Sequence, residues 1–286
     1  MTAKIIDCVS IAEKIKSEVK ADVETLQSVP HLAVIIVGED PASQVYVRNK
    51  ERVCGEVGIK SSIIRMPKDC TQDDLNWTIK KLNSDRSVHG ILLQLPLPKH
   101  LDETIAIELI RPEKDVDGLH PMNAGLLSIG SDKAIVPCTP QAVMRVFKEL
   151  DYDLTGKDVV ILGRSNLFGK PMAQLVLQAN GTPVICHSKS VNTAVKTSVS
   201  DVFIAAIGQP KMIDKEYVGF PALGTPDVVI DVGINRTEDG LCGDVNTEEM
   251  MELCDYITPV PKGIGVLTVA SLMKNVLKCF QIQGGE

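Results

Sequence analysis

Apolar runs of strand length alternate with segments of helical period along almost the whole chain, and that alternation limits the fold more than any other feature. His31–Val37 runs unbroken into Gly38, Val88–Leu93 ends at Gln94, and Asp158–Leu162 enters Gly163. Ser61–Met66, Pro183–Cys186, Val202–Ile207 and Val228–Val232 read as further strands. Ile11–Leu26 repeats apolar residues at 11, 15, 19, 23 and 26, as one helix face does. Thr71 with Asp74 opens a helix to Leu82, Asp102 caps one that stops before Pro112, and two more follow at Pro140–Leu150 and from Pro171. Strands apolar at every position are buried on both faces, so the expected class is parallel α/β.

Two such blocks are separated by Leu119–Cys138, which carries Pro121, Gly125, Gly130 and Pro137. The expected division is a first domain of residues 1–122 and a second of residues 138–265, built as a Rossmann-type, nucleotide-binding sheet. The last apolar helix, Val266–Phe280, is expected to pack back on the first domain, which would then be discontinuous as 1–122 with 266–286.

A chain of 286 residues has room for two ordinary domains. A net charge of -7 argues against a nucleic-acid partner, which calls for a basic excess. No apolar run approaches membrane-spanning length, and the start Met1–Asp7 has no signal-peptide core. The eight cysteines form no close pair, and the five histidines have no metal-ligand spacing. These features predict buried free thiols, no metal and a cytoplasmic protein.

The segment from Pro41 to Gly58 reads as a helix of about four turns, with Ser43 as N-cap and Gly58 as the stop. Residues three and four apart share a face, so Tyr46, Lys50, Val53 and Val57 form one stripe. Burial disfavours the charged form of an ammonium, and a desolvated Lys50 would be suited to proton transfer. A lysine that snorkels to water beside a core tyrosine is the competing reading.

Three other stretches carry chemistry. Gly163-Arg164-Ser165-Asn166-Leu167-Phe168-Gly169 joins a strand to a helix, where free N–H groups and the helix dipole favour a pyrophosphate. The next strand ends at His187-Ser188-Lys189-Ser190 with no acid for a ribose 2′-hydroxyl, while Arg164, Ser188 and Lys189 suit a 2′-phosphate. NADP is the expected cofactor. Gln94-Leu95-Pro96-Leu97-Pro98 lies at the carboxyl end of a strand, where open parallel sheets bind ligands. Asp115-Val116-Asp117-Gly118 offers two acids around a turn glycine, which could bind a metal, solvate a loop or accept N–H bonds from a heterocycle at a cleft edge. Thr258-Pro259-Val260-Pro261-Lys262-Gly263 is a rigid return segment or a hinge.

Taken together these stretches resemble the bifunctional methylenetetrahydrofolate dehydrogenase/methenyltetrahydrofolate cyclohydrolase family. The resemblance rests on Ala42-Ser43…Tyr46-Val47…Lys50, Gln94–Pro98, Asp115–Gly118, Pro137-Cys138-Thr139-Pro140 and Gly163-Arg164-Ser165. It continues through His187-Ser188-Lys189, Gly208-Gln209-Pro210, Asp231–Asn235 and Gly243-Asp244-Val245. It implies a homodimer that oxidises 5,10-methylenetetrahydrofolate with NADP and hydrolyses the methenyl product to 10-formyltetrahydrofolate. By matching position, Lys50 is the implied general acid/base, Gln94 holds it, Tyr46 stacks near the folate and Asp117 anchors the pterin-type ring. Leu95, Pro259 and Gly263 are further implied substrate contacts. Gly163, Arg164, Ser165, Gly169, His187, Ser188, Gly208 and Ile234 are the implied cofactor contacts. One departure is visible: the family's closing loop reads roughly P-G-G-V-G-P-M-T, and here Lys262 stands for a glycine and Val266-Leu267 for proline-methionine. A dehydrogenase lacking cyclohydrolase activity, a dinucleotide-sensing module without turnover and an unrelated hydroxy-acid dehydrogenase are the alternatives.

Overall fold

A computed structural model describes residues 2–218, 224–238 and 240–285, apart from the side chain of Ala42. The chain divides into two compact units, one of Glu13–Cys138 with Val269–Glu286 and one of Met1–Ala12 with Thr139–Thr268. The elements are β1 (Lys4–Ile5), α1 (Cys8–Glu24), β2 (His31–Val37), α2 (Pro41–Glu56), β3 (Lys60–Met66), α3 (Gln72–Ser84), β4 (Gly90–Leu93) and α4 (Glu103–Leu109). After them come α5 (Pro121–Ser128), α6 (Cys138–Glu149), β5 (Asp158–Leu162), α7 (Gly169–Gln178), β6 (Thr182–Cys186), α8 (Thr193–Ser198) and β7 (Val202–Ala205). The chain ends through α9 (Lys215–Val218), β8 (Val228–Asp231), β9 (Asn235–Thr237), β10 (Gly240–Cys242), α10 (Thr247–Met250), β11 (Tyr256–Ile257) and α11 (Ile264–Ile282).

In the lysine-bearing unit, β2 is buried at all seven positions and lies between β3 and β4 in a parallel three-stranded sheet. Its core joins Ala33, Ile35 and Val37 to Leu75 and Ile79 of α3, Ile91 and Leu93 of β4, and Ala106 of α4. Thr71 and Asp74 form the reciprocal capping box that opens α3. The far end of α3 is closed by Lys114, whose Nζ donates to the carbonyls of Leu82 (3.0 Å) and Asp85 (2.7 Å). A buried cation placed on a helix's last carbonyls answers the helix dipole.

The segment Leu119–Cys138 is more than a connector. Pro121 starts α5, and the His120 ring nitrogen accepts the N–H of Met122. From Val269 onward the C-terminal helix belongs to the same unit. Asn275 Nδ2 donates to the carbonyls of Val116 and Val136 (2.8 Å each), and Lys278 Nζ donates to those of Asp132 and Ala134 (2.7 Å each).

In the other unit a parallel sheet runs β1-β11-β8-β7-β5-β6. Residues 1–12, expected with the first domain, belong to this unit. The reason is backbone pairing: Lys4 and Ile5 continue the sheet beside Tyr256 and Ile257, a strand too short to leave a periodic signal. The core gathers Val160, Leu162, Phe203, Ala205, Val229 and Ile257 from the strands. All eight cysteines are free, and all but Cys242 are buried. Among the described residues no helix is long and apolar enough to cross a membrane.

Between β11 and α11, Lys262 adopts φ +70°, the left-handed region in which a Cβ is unfavourable. This is the position at which the resemblance leads one to expect glycine. Lys262→Gly relieves that conformation at the cost of a floppier unfolded chain, for a net gain of roughly 0.5–1 kcal/mol. Urea unfolding of the two proteins measures it, and a less stable glycine variant contradicts the assignment of strain to Lys262.

Candidate functional site

The lysine site begins with how α2 sits. Asp40, not Ser43, is the N-cap: its carboxylate accepts the Ser43 N–H at 2.8 Å, and Pro41 takes the first helical turn. Ser43 also has a side chain suited to capping, but it lies inside the first turn, where its own N–H is the donor that Asp40 satisfies. The buried face of α2 centres on Val47, Val53, Cys54 and Val57, at 0 to 4% exposure. Tyr46, 40% exposed, and half-buried Lys50 lie within the same arc of the helix as these residues but are only partly covered. The stripe through 46, 50, 53 and 57 is thus buried at 53 and 57 and open at 46 and 50, which leaves the amine accessible.

Gln94 directly follows β4, and its N–H donates to Ile35 O at 2.9 Å, extending the ladder by one bond. The side chain is held from both ends. Lys50 Nζ donates to Gln94 Oε1 at 3.0 Å, while Gln94 Nε2 donates to Leu95 O at 2.8 Å. The amide is thus fixed in one orientation, with its oxygen towards the amine.

Asp115 and Asp117 divide the work that the sequence left undecided between them. Asp115 bridges beside β4 at Ile91 and is 3% exposed. Its Oδ2 accepts the His120 N–H (2.8 Å) and Asn123 Nδ2 (2.9 Å), so it anchors the start of α5. Burial raises its pKa to about 6, against the pull of those two donors. Asp117 is the acid at the lysine site. Burial raises its pKa too, while the positive charge of Lys50 and the Cys138 thiol act the other way. Gly118 fixes the turn after it: φ is +67°, and a Cβ there would meet Ile135 O and Pro137 N.

Two residues at this site were not singled out in the sequence. Cys138 is kept protonated, its pKa pushed far up by burial and then by the Asp117 charge. Its Sγ donates towards Val116 O (3.5 Å) and Asp117 Oδ1 (3.8 Å). Asn275 reaches the same carbonyl of Val116 and lies 3.4 Å from Cys138 Sγ. The available signal was an amide among the apolar residues of the Val266–Phe280 helix, since a buried amide must have partners.

The second group of predicted residues lies in the other unit. Gly163 follows β5 with φ +126°, where a Cβ would overlap Ala206 O, and a Cβ on Gly169 would overlap Gly163 O. The Gly-x5-Gly spacing thus closes a tight turn whose second glycine abuts the first and begins α7. Ser165 stays inside this turn: its hydroxyl accepts the Phe168 N–H at 3.1 Å. Leu162 pairs with Cys186, so exposed Arg164 and Ser188 each stand two residues beyond a matched pair on adjacent strands. His187 Nδ1 accepts the Lys189 N–H at 3.1 Å, and the His187 N–H donates to Ser190 Oγ at 3.0 Å. Gly208 follows β7 with φ +67°. Ile234 is 47% exposed before β9. Pro259 and Gly263 meet in the segment before α11, where a Cβ on Gly263 would overlap Pro259 O.

One unit holds an amine oriented by a strand-end amide, and the other a parallel sheet with a glycine-lined strand-to-helix turn. These features define a two-domain α/β protein of the dinucleotide-binding class. A family model described as tetrahydrofolate dehydrogenase/cyclohydrolase, catalytic domain, matches residues 6–117, and its NAD(P)-binding counterpart matches residues 137–284. The chain belongs to the tetrahydrofolate dehydrogenase/cyclohydrolase family. It is 46% identical over 282 residues to the bifunctional protein FolD of Bacillus anthracis, covering 97% of this chain and 96% of the relative. The crystal structure of the bifunctional enzyme FolD, a methylenetetrahydrofolate dehydrogenase/cyclohydrolase, from Campylobacter jejuni superimposes with a TM-score of 0.93 at 41% identity, over 98% of this chain and 99% of that one. The Trypanosoma brucei enzyme, solved with NADP cofactor and an inhibitor, gives 0.91 at 35% identity over 99% and 98%.

Because the folded-state pKa of Asp115 exceeds its unfolded value, the folded protein holds that proton more tightly. The stability tied to this group is full below about pH 4 and is lost as pH rises through 6, by up to about 3 kcal/mol. Asp115→Asn removes this slope. Denaturation midpoints at pH 4.5 and 7 should therefore converge in the variant relative to the parent, and equal slopes would assign the pH dependence elsewhere.

Proposed function

We propose that the chain oxidises 5,10-methylenetetrahydrofolate with NADP and hydrolyses the resulting methenyl compound to 10-formyltetrahydrofolate, as a cytoplasmic homodimer. The observation that carries the reading is the 3.0 Å bond from Lys50 Nζ to Gln94 Oε1, with Asp117 in the same electrostatic neighbourhood, in a member of this family. For hydrolysis the amine takes a proton from the water that adds to the methenyl carbon and returns it to the ring nitrogen as its bond to that carbon breaks, while the added hydroxyl loses its remaining proton to solvent and becomes the formyl carbonyl. Gln94 engages one N–H of Lys50 and fixes the direction of the remaining positions on that nitrogen. Asp117 accepts N–H bonds from the pterin-type ring. Tyr46, exposed one turn before the lysine, offers a face for stacking. Leu95 is a further substrate contact.

The second unit fits NADP. The Gly163 and Gly169 positions have no room for a Cβ, and the free N–H groups at the start of α7 suit a pyrophosphate. Ser165, His187, Gly208 and Ile234 line the remainder, and Arg164 with Ser188 takes the 2′-phosphate. When bound, the cofactor supplies the hydride acceptor; the protein's part in that step is to hold the two reacting carbons close and aligned.

Lys50→Met is expected to slow hydrolysis of supplied methenyltetrahydrofolate by roughly 10²–10⁴-fold, the span of a general acid/base. Absorbance of the substrate follows it directly, and a wild-type rate removes Lys50 from the role. Replacing Arg164 and Ser188 together by alanine should lower the preference for NADP over NAD by about tenfold or more, since each charge-assisted bond contributes roughly 1.5–3 kcal/mol. Ratios of kcat/KM for the two cofactors test this, and an unchanged ratio places the selecting residues elsewhere.

A further inference from the structure

Asp244 is fully buried, and four donors converge on its carboxylate. Oδ2 accepts the N–H groups of Ile207 (2.6 Å) and Gly208 (3.0 Å), and Oδ1 accepts the Gln209 N–H (2.9 Å) and Asn235 Nδ2 (2.9 Å). A carboxylate has about four acceptor positions, so these bonds use its whole capacity. It is not left to contact a ligand. The donors belong to two separate loops, one following β7 and one leading into β9.

The backbone of Asp244 is itself fixed. Its N–H and that of Gly233 donate to Asp231 Oδ1 (3.1 and 2.9 Å), the Val245 N–H donates to Asp231 Oδ2 (2.9 Å), and Ile213 N–H donates to Asp244 O (2.9 Å). Glycines make the approach possible. A Cβ on Gly233 would overlap the Asp244 carboxylate, and one on Gly243 would overlap that of Asp231. The two acids therefore interlock: Asp231 sets Asp244, and Asp244 sets the two loops.

We propose that Asp244 is a positioning residue for the dinucleotide, locking the Ile207–Gln209 turn to the Ile234–Asn235 segment so that both present a fixed backbone to the cofactor. This rests on the cofactor site assigned above to Gly208 and Ile234. An amide at position 244 halves the acceptor capacity and turns an NH2 towards at least one N–H. Two donors are then unpaired in a buried place, and the loops part.

The test measures NADP binding by calorimetry and steady-state kinetics on the full chain. Asp244→Asn should raise the Kd and KM for NADP at least tenfold, with kcat within about twofold and the KM for the folate unchanged. Hydrogen exchange at Gly208 and Gln209 should accelerate. Asn235→Ala removes one of the four bonds and the link between the loops, and should raise the Kd about threefold; it carries the test if Asp244→Asn does not fold. If Arg164→Ala weakens NADP binding while both the 244 and 235 variants bind as the parent does, the positioning role is overturned and the cofactor site stands. Lower kcat and melting temperature at unchanged NADP affinity also overturn it, as a purely structural role would. Failure of the parent to bind NADP overturns the cofactor assignment and this proposal with it.

Discussion

A parallel strand that stops at its carboxyl end leaves backbone N–H groups with nothing further along the ladder to bond, and these groups must be satisfied where the sheet also has to stay open to a ligand. Both units solve this with buried side chains that run to the backbone. In the second unit, Asp231 and Asp244 collect the N–H groups beyond β7 and β8. In the first, Gln94 continues the ladder of β4 with its own N–H, Asp115 takes the His120 N–H and Asn275 donates to the Val116 and Val136 carbonyls. Helices and core follow ordinary patterning, but the loops that bear the predicted site residues depend on these few bonds.

The same economy explains why so many acids near the sites are not reactive themselves. Asp115 and Asp117 are separated by one residue, yet one is consumed by α5 and the other lies beside an amine. Asp231 and Asp244 are both spent on backbone donors: burial raises the pKa of Asp231 to about 6, and the neighbouring Asp244 charge adds to the effect. The cost is met by three backbone donors. Protein dipoles, not solvent, hold these charges in place.

The parallel α/β class was legible in the apolar runs, and His31–Val37 and Asp158–Leu162 match their strands residue for residue. The Thr71 and Asp102 caps were legible for the same reason: a capping side chain acts within three residues of itself. What escaped depends on distant partners. β1 has two residues and is a strand only because Tyr256–Ile257 lies beside it. The partial exposure of Tyr46 and Lys50 on α2 escaped because period gives a helix face and not how far along the axis its cover extends. Lys50, Gln94 and Asp117 could be nominated one by one, but their meeting joins residues 44 apart in one bond and a third across a turn fixed by Gly118.

The bond from Asn275 to Val116 spans 159 positions of chain. During synthesis the acid-bearing turn emerges long before the side chain that pins it. The unit carrying the lysine must therefore wait, its Val116 and Val136 carbonyls served by water, until Asn275 has left the ribosome. Residues 139–268, translated in between, can close first with residues 1–12, so a segment made early is set late.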